Sequence, residues 1–199
     1  MKRIATTICA LTGALFFLTQ CTGEKKEEDK NTTTAATAEF GGYGTQVKWG
    51  EHLVLSGGCG DCHTPKKMTE RGPEDDSTLL LSGHPSQMPI PPVDRLDLQK
   101  KGVFASQTLT AWVGPWGVSF AANLTPDSTG IGSWKEEQFI YALRNGIYKG
   151  IAGSRPLLPP MPWPSIKNFS DDELKAIFAY LKSREPISNV VPAYMPPAN

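Results

Sequence analysis

Two cysteines and a histidine lie close together in the stretch GGCGDCHTP, residues 57–65. Cys59 and Cys62 are three positions apart, and His63 follows the second cysteine directly. This C-x-x-C-H spacing is the attachment sequence of c-type haem. Two thiols can add to the two vinyl groups of the haem, and the next residue then lies beneath the ring with its imidazole near the iron. The sequence therefore predicts one covalently attached haem c, held by Cys59 and Cys62 and ligated by His63.

Other chemistries that use a C-x-x-C pair are the alternatives. A thioredoxin-like dithiol normally lies near a βαβ pattern, and the sequence shows no such alternation. A structural zinc site needs two more nitrogen or sulfur ligands. Outside the motif the chain offers His52 and His84, with no second cysteine pair. Haem attachment is therefore the favoured interpretation.

A haem bound by His63 has a second axial position. Met161 lies in the stretch RPLLPPMPWP, residues 155–164, with prolines at positions 159, 160, 162 and 164. Proline fixes φ, so such a segment is stiff and extended and can hold a thioether on the iron. We predict Met161 as the second ligand, with His84 and Met88 as the alternatives. A proline-rich recognition peptide is disfavoured because the stretch lies between two predicted helices.

The elements that must position these ligands are helices, since apolar residues recur at helical spacing in three places. The first predicted helix covers residues 45–56, directly before the haem motif. The second begins at Ser133, the N-cap of a capping box with Glu136, and ends at Gly146. The third begins at the capping box SDDE, residues 170–173, and its apolar stripe stops before a proline.

No alternating strand pattern competes with these helices. Much of residues 64–132 is predicted to be loop, because this part contains several prolines and glycines. So long a loop is reasonable where it wraps a large apolar cofactor that forms part of the core. The predicted fold class is mainly α, with few helices and long Pro/Gly-rich loops around one covalently attached haem.

The N-terminus has the pattern of an export signal. Two basic residues precede an apolar run over residues 4–18, which is shorter than the ~20 residues that span a bilayer. LTQC, ending at Cys21, resembles the lipobox of bacterial lipoproteins, although Gln20 stands where a small residue is usual. The competing cleavage pattern ATA, residues 36–38, lies far from the apolar run.

We therefore predict a lipoprotein-type signal peptide over 1–20 and a lipid on Cys21, which anchors the protein to a membrane without spanning it. A flexible polar tether follows over 21–42, and the haem domain covers 43–199. The chain has 20 basic and 20 acidic residues and a formal net charge of zero. Without clustered lysine and arginine, no nucleic-acid partner is expected.

The stretch NLTPDSTGIGSWKEEQFIYALRNGI, residues 123–147, is followed by LLPPMPW and by the helix SDDELKAIFAYLKS. Together with the haem motif, these stretches resemble class I cytochromes c. They are most similar to the haem domains in cytochrome subunits of membrane-bound gluconate, alcohol and aldehyde dehydrogenases and to single-haem relatives of those domains. The resemblance runs from about residue 48 to about residue 191. This chain has one haem motif where those subunits usually carry several.

The resemblance implies a class I cytochrome c domain over 43–199. It makes His63 the proximal and Met161 the distal iron ligand, and it places Asn123 and Trp134 near the haem propionates. It also implies that the first and third predicted helices cross each other. Gly50 fits such a crossing, because a residue without a side chain lets two helices approach closely.

The predicted function is electron transfer between membrane or periplasmic redox partners, without enzymatic activity. The expected partners are a dehydrogenase, a quinol-oxidising complex, or a terminal oxidase or reductase, at a bacterial membrane facing the periplasm or the cell exterior. One alternative is a cytochrome subunit docked on a dehydrogenase, for which the aromatic stretch at residues 110–120 could form the docking patch. In the favoured interpretation those aromatic residues line the haem crevice. Another alternative is a haem protein with an exchangeable distal site, ligand-binding or peroxidase-like.

Overall fold

The computed structural model describes residues 39–90 and 94–198, and the fold combines helices with two small antiparallel sheets. The helices are α1 (Gln46–Ser56), α2 (Cys59–His63), α3 (Arg95–Lys101), α4 (Glu136–Asn145), α5 (Trp163–Ile166) and α6 (Asp171–Lys182). The strands are β1 (Lys66–Thr69), β2 (Gly72–Asp75), β3 (Phe104–Ala105), β4 (Ala111–Gly114) and β5 (Gly117–Phe120). β1 and β2 form a hairpin, and the second sheet has the order β3-β4-β5.

The predicted signal peptide over 1–20, the lipid site Cys21 and most of the predicted tether lie outside the described residues. The last tether residues, Glu39–Gly42, form a 3-10 turn. A Cβ atom on Gly41 would lie 2.8 Å from the indole nitrogen of Trp49, so this turn packs against α1. Among the described residues, no helix is long and apolar enough to cross a membrane.

The core forms where α1 crosses α6. Leu53 and Val54 of α1 are buried in one apolar cluster with Leu174 and Ile177 of α6. Gly50 is also buried, on the face of α1 that meets the backbone of α6. The crossing implied by the family resemblance is therefore confirmed.

Two of the three predicted helices begin at a residue whose side chain caps the helix N-terminus. Thr45 caps α1, because its hydroxyl oxygen accepts from the backbone N–H of Lys48 at 3.2 Å. At α6 the hydroxyl of Ser170 accepts from the N–H of Glu173 at 3.2 Å. The carboxylate of Glu173 accepts from the N–H of Ser170 at 2.6 Å in return. The predicted capping box of α6 is confirmed, and a cap of this kind contributes about 1 kcal/mol.

The predicted start of the second helix at Ser133 is wrong. α4 begins at Glu136, and Lys135 occupies the N-cap position without a side-chain cap. The chain first makes a turn in which the N–H of Trp134 donates to the carbonyl of Ile131 at 3.0 Å. The ammonium group of Lys182 donates to the carbonyls of Ile131 and Gly132 in the same turn. The predicted end at Gly146 is confirmed, with φ of +62°.

Most of the described part of 64–132 is loop or turn, as predicted, but the prediction missed short strands and a helix there, and the fold is mainly α only in part. This part of the chain contains both sheets and α3. The strands have two to four residues each, which is too short for a period-two pattern to stand out. β4 and β5 are moreover largely buried on both faces, so apolar and polar residues do not alternate along them.

The free edge of β5 is covered by a segment near the C-terminus. Val118 and Met195 exchange two backbone hydrogen bonds, at 2.8 and 3.1 Å. Gly117 has φ of +100°, and a Cβ atom there would lie 2.2 Å from the carbonyl oxygen of Met195. The hydroxyl of Tyr194 donates to the carbonyl of Trp116 at 2.7 Å, which holds the segment in place.

Candidate haem-binding site

Both thiols of the motif lie on α2, the five-residue helix Cys59–His63 that follows α1 after a left-handed residue at Gly58. Cys59 and Cys62 are half-buried and are not joined by a disulfide. Burial raises the pKa of the Cys59 thiol to about 11 and also raises the pKa of Cys62. Redox-active dithiols have a lowered pKa instead, so the structure gives no support to a thioredoxin-like pair. Two free thiols on one short helix do fit thioether attachment.

The imidazole of His63 is buried and oriented by one hydrogen bond. Its Nδ1 atom lies 2.8 Å from the carbonyl oxygen of Ala122. A carbonyl can only accept, so Nδ1 carries the proton and Nε2 keeps its lone pair. Burial lowers the pKa of His63, which favours the neutral form that binds metals. The ring thus has the tautomer and the charge of an iron ligand whose other nitrogen is fixed by the protein.

Lys66 ties the haem motif to the β1–β2 hairpin. Its ammonium group donates to the carbonyls of Gly60 and Thr64, each at 2.8 Å. The same group forms an ion pair with Asp75 at 2.8 Å, and the Lys66 side chain is only 9% exposed. The backbone of α2 is therefore held from the side of β1 and β2. Sequence reasoning missed this residue, because nothing local distinguishes Lys66 from the neighbouring Lys67.

Asn123 is buried, and its amide makes four hydrogen bonds within the protein. Its Nδ2 donates to the hydroxyl of Thr129 at 3.1 Å and to the carbonyl of Ile187 at 2.8 Å. Its Oδ1 accepts from the backbone N–H and the hydroxyl of Thr125, at 2.9 and 2.8 Å. Both donor hydrogens are in use. The amide therefore fixes the loop that presents the carbonyl of Ala122 to His63.

Three of the predicted site residues border one apolar cluster. Cys59, Trp134 and Met161 are half-buried and pack against the buried core between α1, α4 and α6. The indole N–H of Trp134 has no hydrogen-bond partner among the described residues. The other half-buried apolar residues around this core are Trp49, Leu124, Ile140, Leu157, Ile166 and Phe169. For a flat apolar cofactor, Cys59 would provide the attachment point, Met161 a thioether, and Trp134 with the core an apolar contact surface.

The segment that carries Met161 is held between α4 and β5. The N–H of Leu157 donates to the carbonyl of Gly146 at 2.7 Å. The hydroxyl of Ser119 on β5 donates to the carbonyl of Pro159 at 2.6 Å. The Trp163 ring packs so closely on Gly146 that a Cβ atom there would lie 2.5 Å from it. The proline-rich stretch is therefore part of the folded domain.

The alternative distal ligands are less suitable. His84 is fully buried, and its Nδ1 and Nε2 lie 2.8 Å from the Thr110 hydroxyl and from the Met88 carbonyl respectively. Neither ring nitrogen is left for iron. Met88 is 42% exposed on the loop that His84 holds. Among the described residues, no group of three or more His, Cys, Asp or Glu side chains is placed to hold a metal ion.

The aromatic stretch at residues 110–120 lies on the β4–β5 hairpin. Trp112, Trp116 and Phe120 are half-buried, so the structure does not expose them as an apolar docking patch. The indole N–H of Trp116 donates to Ser119 at 3.1 Å, and Phe120 packs against His84 with ring centroids 5.1 Å apart. These contacts support a packing role for the rings of Trp116 and Phe120.

No family model matches the chain. The chain is similar to cytochrome c subunits of dehydrogenases, and the resemblance expected from its motifs is thereby confirmed. It is 29% identical over 147 residues to the gluconate 2-dehydrogenase cytochrome c subunit of Pantoea cypripedii, covering 73% of this chain and 25% of that one. It is 34% identical over 136 residues to the fructose dehydrogenase cytochrome subunit of Gluconobacter japonicus, covering 68% and 20%.

A further relative is a nicotinate dehydrogenase subunit of Pseudomonas putida, at 39% identity over 80 residues. That alignment covers 40% of this chain and 6% of the relative. The chain thus spans a quarter or less of the length of each of these proteins.

Proposed function

We propose that this chain is an electron-transfer protein with a class I cytochrome c fold and one haem c. Cys59 and Cys62 would form the thioethers, and His63 and Met161 would bind the iron. The observation that carries the proposal is the arrangement on α2: two free thiols beside a neutral imidazole whose Nδ1 is bound to Ala122. This arrangement leaves Nε2 as the one nitrogen for iron.

When bound, the haem supplies a metal centre that gains and loses one electron. The protein residues set the conditions for that change. Ala122 orients His63 and increases the basicity of its ring. The thioether of Met161 favours the reduced metal and raises the potential. The apolar residues around Cys59 and Trp134 exclude water, and the indole N–H of Trp134 is free to donate to a propionate.

With His63 and Met161 both bound to the iron, no coordination site would be left for a substrate, so we infer a carrier and not an enzyme. The similarity to dehydrogenase cytochrome subunits supports a dehydrogenase as electron donor. A quinol-oxidising complex would be an alternative donor, and a terminal oxidase or reductase would accept the electron. A lipid on Cys21 would keep the domain at a bacterial membrane, where the tether raises its effective concentration near these partners.

A second candidate function is that of a subunit docked permanently on a dehydrogenase. The names of the relatives favour it, since each is described as a dehydrogenase subunit. Affinity purification from the native cells at several salt concentrations separates the two candidates. A stoichiometric dehydrogenase that stays bound at high salt would establish the docked subunit, whereas a carrier is recovered alone.

The absorption spectrum of the purified holoprotein tests the haem assignment. We expect a low-spin c-type spectrum with the weak sulfur-to-iron charge-transfer band of the oxidised state in the near infrared. Met161→Leu should abolish that band, while Met88→Leu, a methionine of the exposed loop, should leave it intact. A high-spin spectrum of the unmodified protein would favour the exchangeable distal site. A protein without haem, made in cells that attach haem c, would refute the proposal.

A further inference from the structure

His84 is a buried titratable residue that the proposed electron transfer does not use. It is fully buried, and its two ring nitrogens have different partners. Nε2 lies 2.8 Å from the carbonyl oxygen of Met88, which can only accept, so Nε2 carries the proton. Nδ1 therefore keeps its lone pair and accepts a hydrogen bond from the hydroxyl of Thr110 at 2.8 Å. The neutral ring can thus take up one further proton, at Nδ1.

Three hydroxyl groups form a hydrogen-bonded chain that ends at this nitrogen. The hydroxyl oxygens of Thr110 and Thr108 are 2.8 Å apart, and those of Thr108 and Ser106 are 3.0 Å apart. Because the hydroxyl of Thr110 donates to His84, Thr108 must donate to Thr110, and Ser106 must donate to Thr108. The Ser106 oxygen accepts from the backbone N–H of Ala111 at 3.1 Å, which agrees with this direction. All three hydroxyl hydrogens therefore point toward His84.

The far end of the hydroxyl chain lies near the protein surface. Thr108 and Thr110 are buried, whereas Ser106 is half-buried. Gln107 and Thr108 line an open cavity at the surface. A proton that enters at Ser106 can be passed on when each hydroxyl gives its hydrogen to the next acceptor. The result is one additional proton on Nδ1 of His84 and a chain whose hydrogens point the other way.

The groups that contact His84 are uncharged. The ring of Phe120 on β5 lies 5.1 Å away, measured between ring centroids, and the amide of Asn189 donates to the His84 carbonyl at 2.9 Å. Burial lowers the pKa of His84 and the bond to Met88 opposes this, while charged side chains are not among the causes. The charged residues that line the cavity next to Met88 are Lys66, Lys67 and Asp76.

Two adjacent peptide groups connect His84 to the proposed iron ligand. The N–H of His84 donates to the carbonyl of Ala121 at 3.0 Å, and the ring of His63 donates to the carbonyl of Ala122 at 2.8 Å. The N–H of Gly83 donates to the carbonyl of His63 at 2.8 Å. A Cβ atom on Gly83 would lie 2.5 Å from the carbonyl oxygen of Ala121, so these segments are in direct contact. A charge on His84 would therefore act on the iron site through buried protein.

We propose that Ser106, Thr108 and Thr110 form a proton path to His84, and that His84 takes up a proton when the haem is reduced. This inference rests on the proposed function, because it requires an iron bound by His63. One electron from the dehydrogenase partner converts ferric to ferrous iron, and one proton passes from water along the hydroxyl chain to Nδ1. Both leave again on oxidation. Reduction removes one unit of positive charge near His84, so the proton affinity of the imidazole increases.

The midpoint potential of the holoprotein, measured by spectroelectrochemistry at several pH values, tests the coupling. His84 is protonated in both oxidation states at low pH and neutral in both at high pH, so the potential should fall as the pH rises between these limits. An affinity for the proton that is about tenfold higher in the ferrous state corresponds to a total fall of about 59 mV. We expect this fall below about pH 6.5, because burial lowers the pKa of His84.

Two histidine variants assign the fall in potential to a residue. His84→Gln should remove it, because glutamine does not titrate. His52→Gln changes a histidine on the exposed face of α1 and should leave it intact. Nitrogen-15 NMR of the ferrous holoprotein follows the His84 ring without any substitution. It should show Nε2 protonated at neutral pH and Nδ1 taking up the second proton.

Thr108→Val tests the path separately from the proton acceptor. Valine has the shape of threonine without the hydroxyl, so the chain is interrupted while His84 keeps its bond to Thr110. The pH dependence of the potential should remain, because it is an equilibrium property. Proton exchange at Nδ1, determined from the NMR line shape at the titration midpoint, should slow by about a hundredfold. Thr78→Val, which removes an exposed hydroxyl outside the chain, should leave this rate unchanged.

A potential that does not change over this pH range, in a protein with the expected low-spin spectrum, would overturn the inference and leave the electron carrier intact. A fall that persists in His84→Gln would assign the proton to another group, such as a haem propionate, and would also overturn it. Equal exchange rates in Thr108→Val and Thr78→Val would refute the path. A protein without haem would overturn the proposed function itself.

Discussion

A Cβ atom on Gly50 would lie 1.9 Å from the carbonyl oxygen of Ala176 and 2.8 Å from the Cβ of Tyr180. The backbones of α1 and α6 therefore touch at this point, with no space for even a methyl group. Since α1 leads directly into the haem motif, this contact sets the position of α2 relative to the core. It links the first third of the chain to its last helix.

Gly50→Ala should destabilise the holoprotein by about 3 kcal/mol, because the helices must separate and the core between them loosens. Urea unfolding followed by circular dichroism measures the change. Gly60→Ala is the matched control. A Cβ atom at Gly60 has its nearest neighbour 3.6 Å away, which is ordinary contact distance, so this change should be close to neutral. Equal effects of the two substitutions would contradict the close contact at Gly50.

Lys66→Met should destabilise the protein by about 2 kcal/mol, because the carbonyls of Gly60 and Thr64 lose their donor at a largely buried position. Chemical unfolding of the holoprotein measures this. Lys67→Met, on the exposed face of the same strand, should leave the midpoint unchanged. If both variants unfolded alike, the bonds of Lys66 to α2 would contribute nothing to stability.

Asn123→Ala should cost about 2–3 kcal/mol, since buried groups of Thr125, Thr129 and Ile187 lose their partner. Asn123→Asp keeps an acceptor for Thr125 but loses both N–H donors to Thr129 and Ile187. We therefore expect its stability to lie between those of the unmodified protein and the alanine variant. Resonance Raman spectra of both variants report the iron–histidine environment. A shifted spectrum of the alanine variant would show that Asn123 influences His63 through the loop that carries Ala122. An unchanged spectrum would show that Asn123 does not affect His63.

The free energy of unfolding should depend on pH because the side chain of His84 is buried. Burial lowers its pKa from the ordinary value of 6.5, and the bond to Met88 opposes this only in part. The unfolded chain therefore takes up a proton at this residue at a higher pH than the folded protein does. The stabilisation is complete above about pH 6.5 and is lost as the pH falls toward the lower folded pKa. Unfolding in urea between about pH 7 and about pH 5 should show this slope.

His84→Gln tests the origin of that slope, because glutamine does not titrate. The variant should show a flatter dependence over the same pH range, even though its stability at neutral pH is lower. His52→Gln is the control, since that side chain lies on the exposed face of α1. A slope that persists in His84→Gln would assign the titration to another group.

The haem motif and the capping box at Ser170 could be predicted because their signals lie within a few neighbouring residues. The end of α4 at Gly146 can be predicted from the sequence for the same reason. The capping box at Ser133 had an equally good local pattern and failed, since Lys182, 49 positions away, holds the preceding turn. The bond of Asn123 to Ile187 and the pairing of β5 with Met195 also depend on distant partners. Short sequence patterns carry no information on such contacts.

The backbone pairing of Val118 with Met195 also bears on association between molecules. A strand edge with open N–H and carbonyl groups accepts a strand from any neighbour, including another copy of the same chain. Here the chain's own residues occupy that position on β5. At high protein concentration an open edge would favour edge-to-edge stacking. The segment around Met195 thus blocks edge-to-edge pairing at this position of β5.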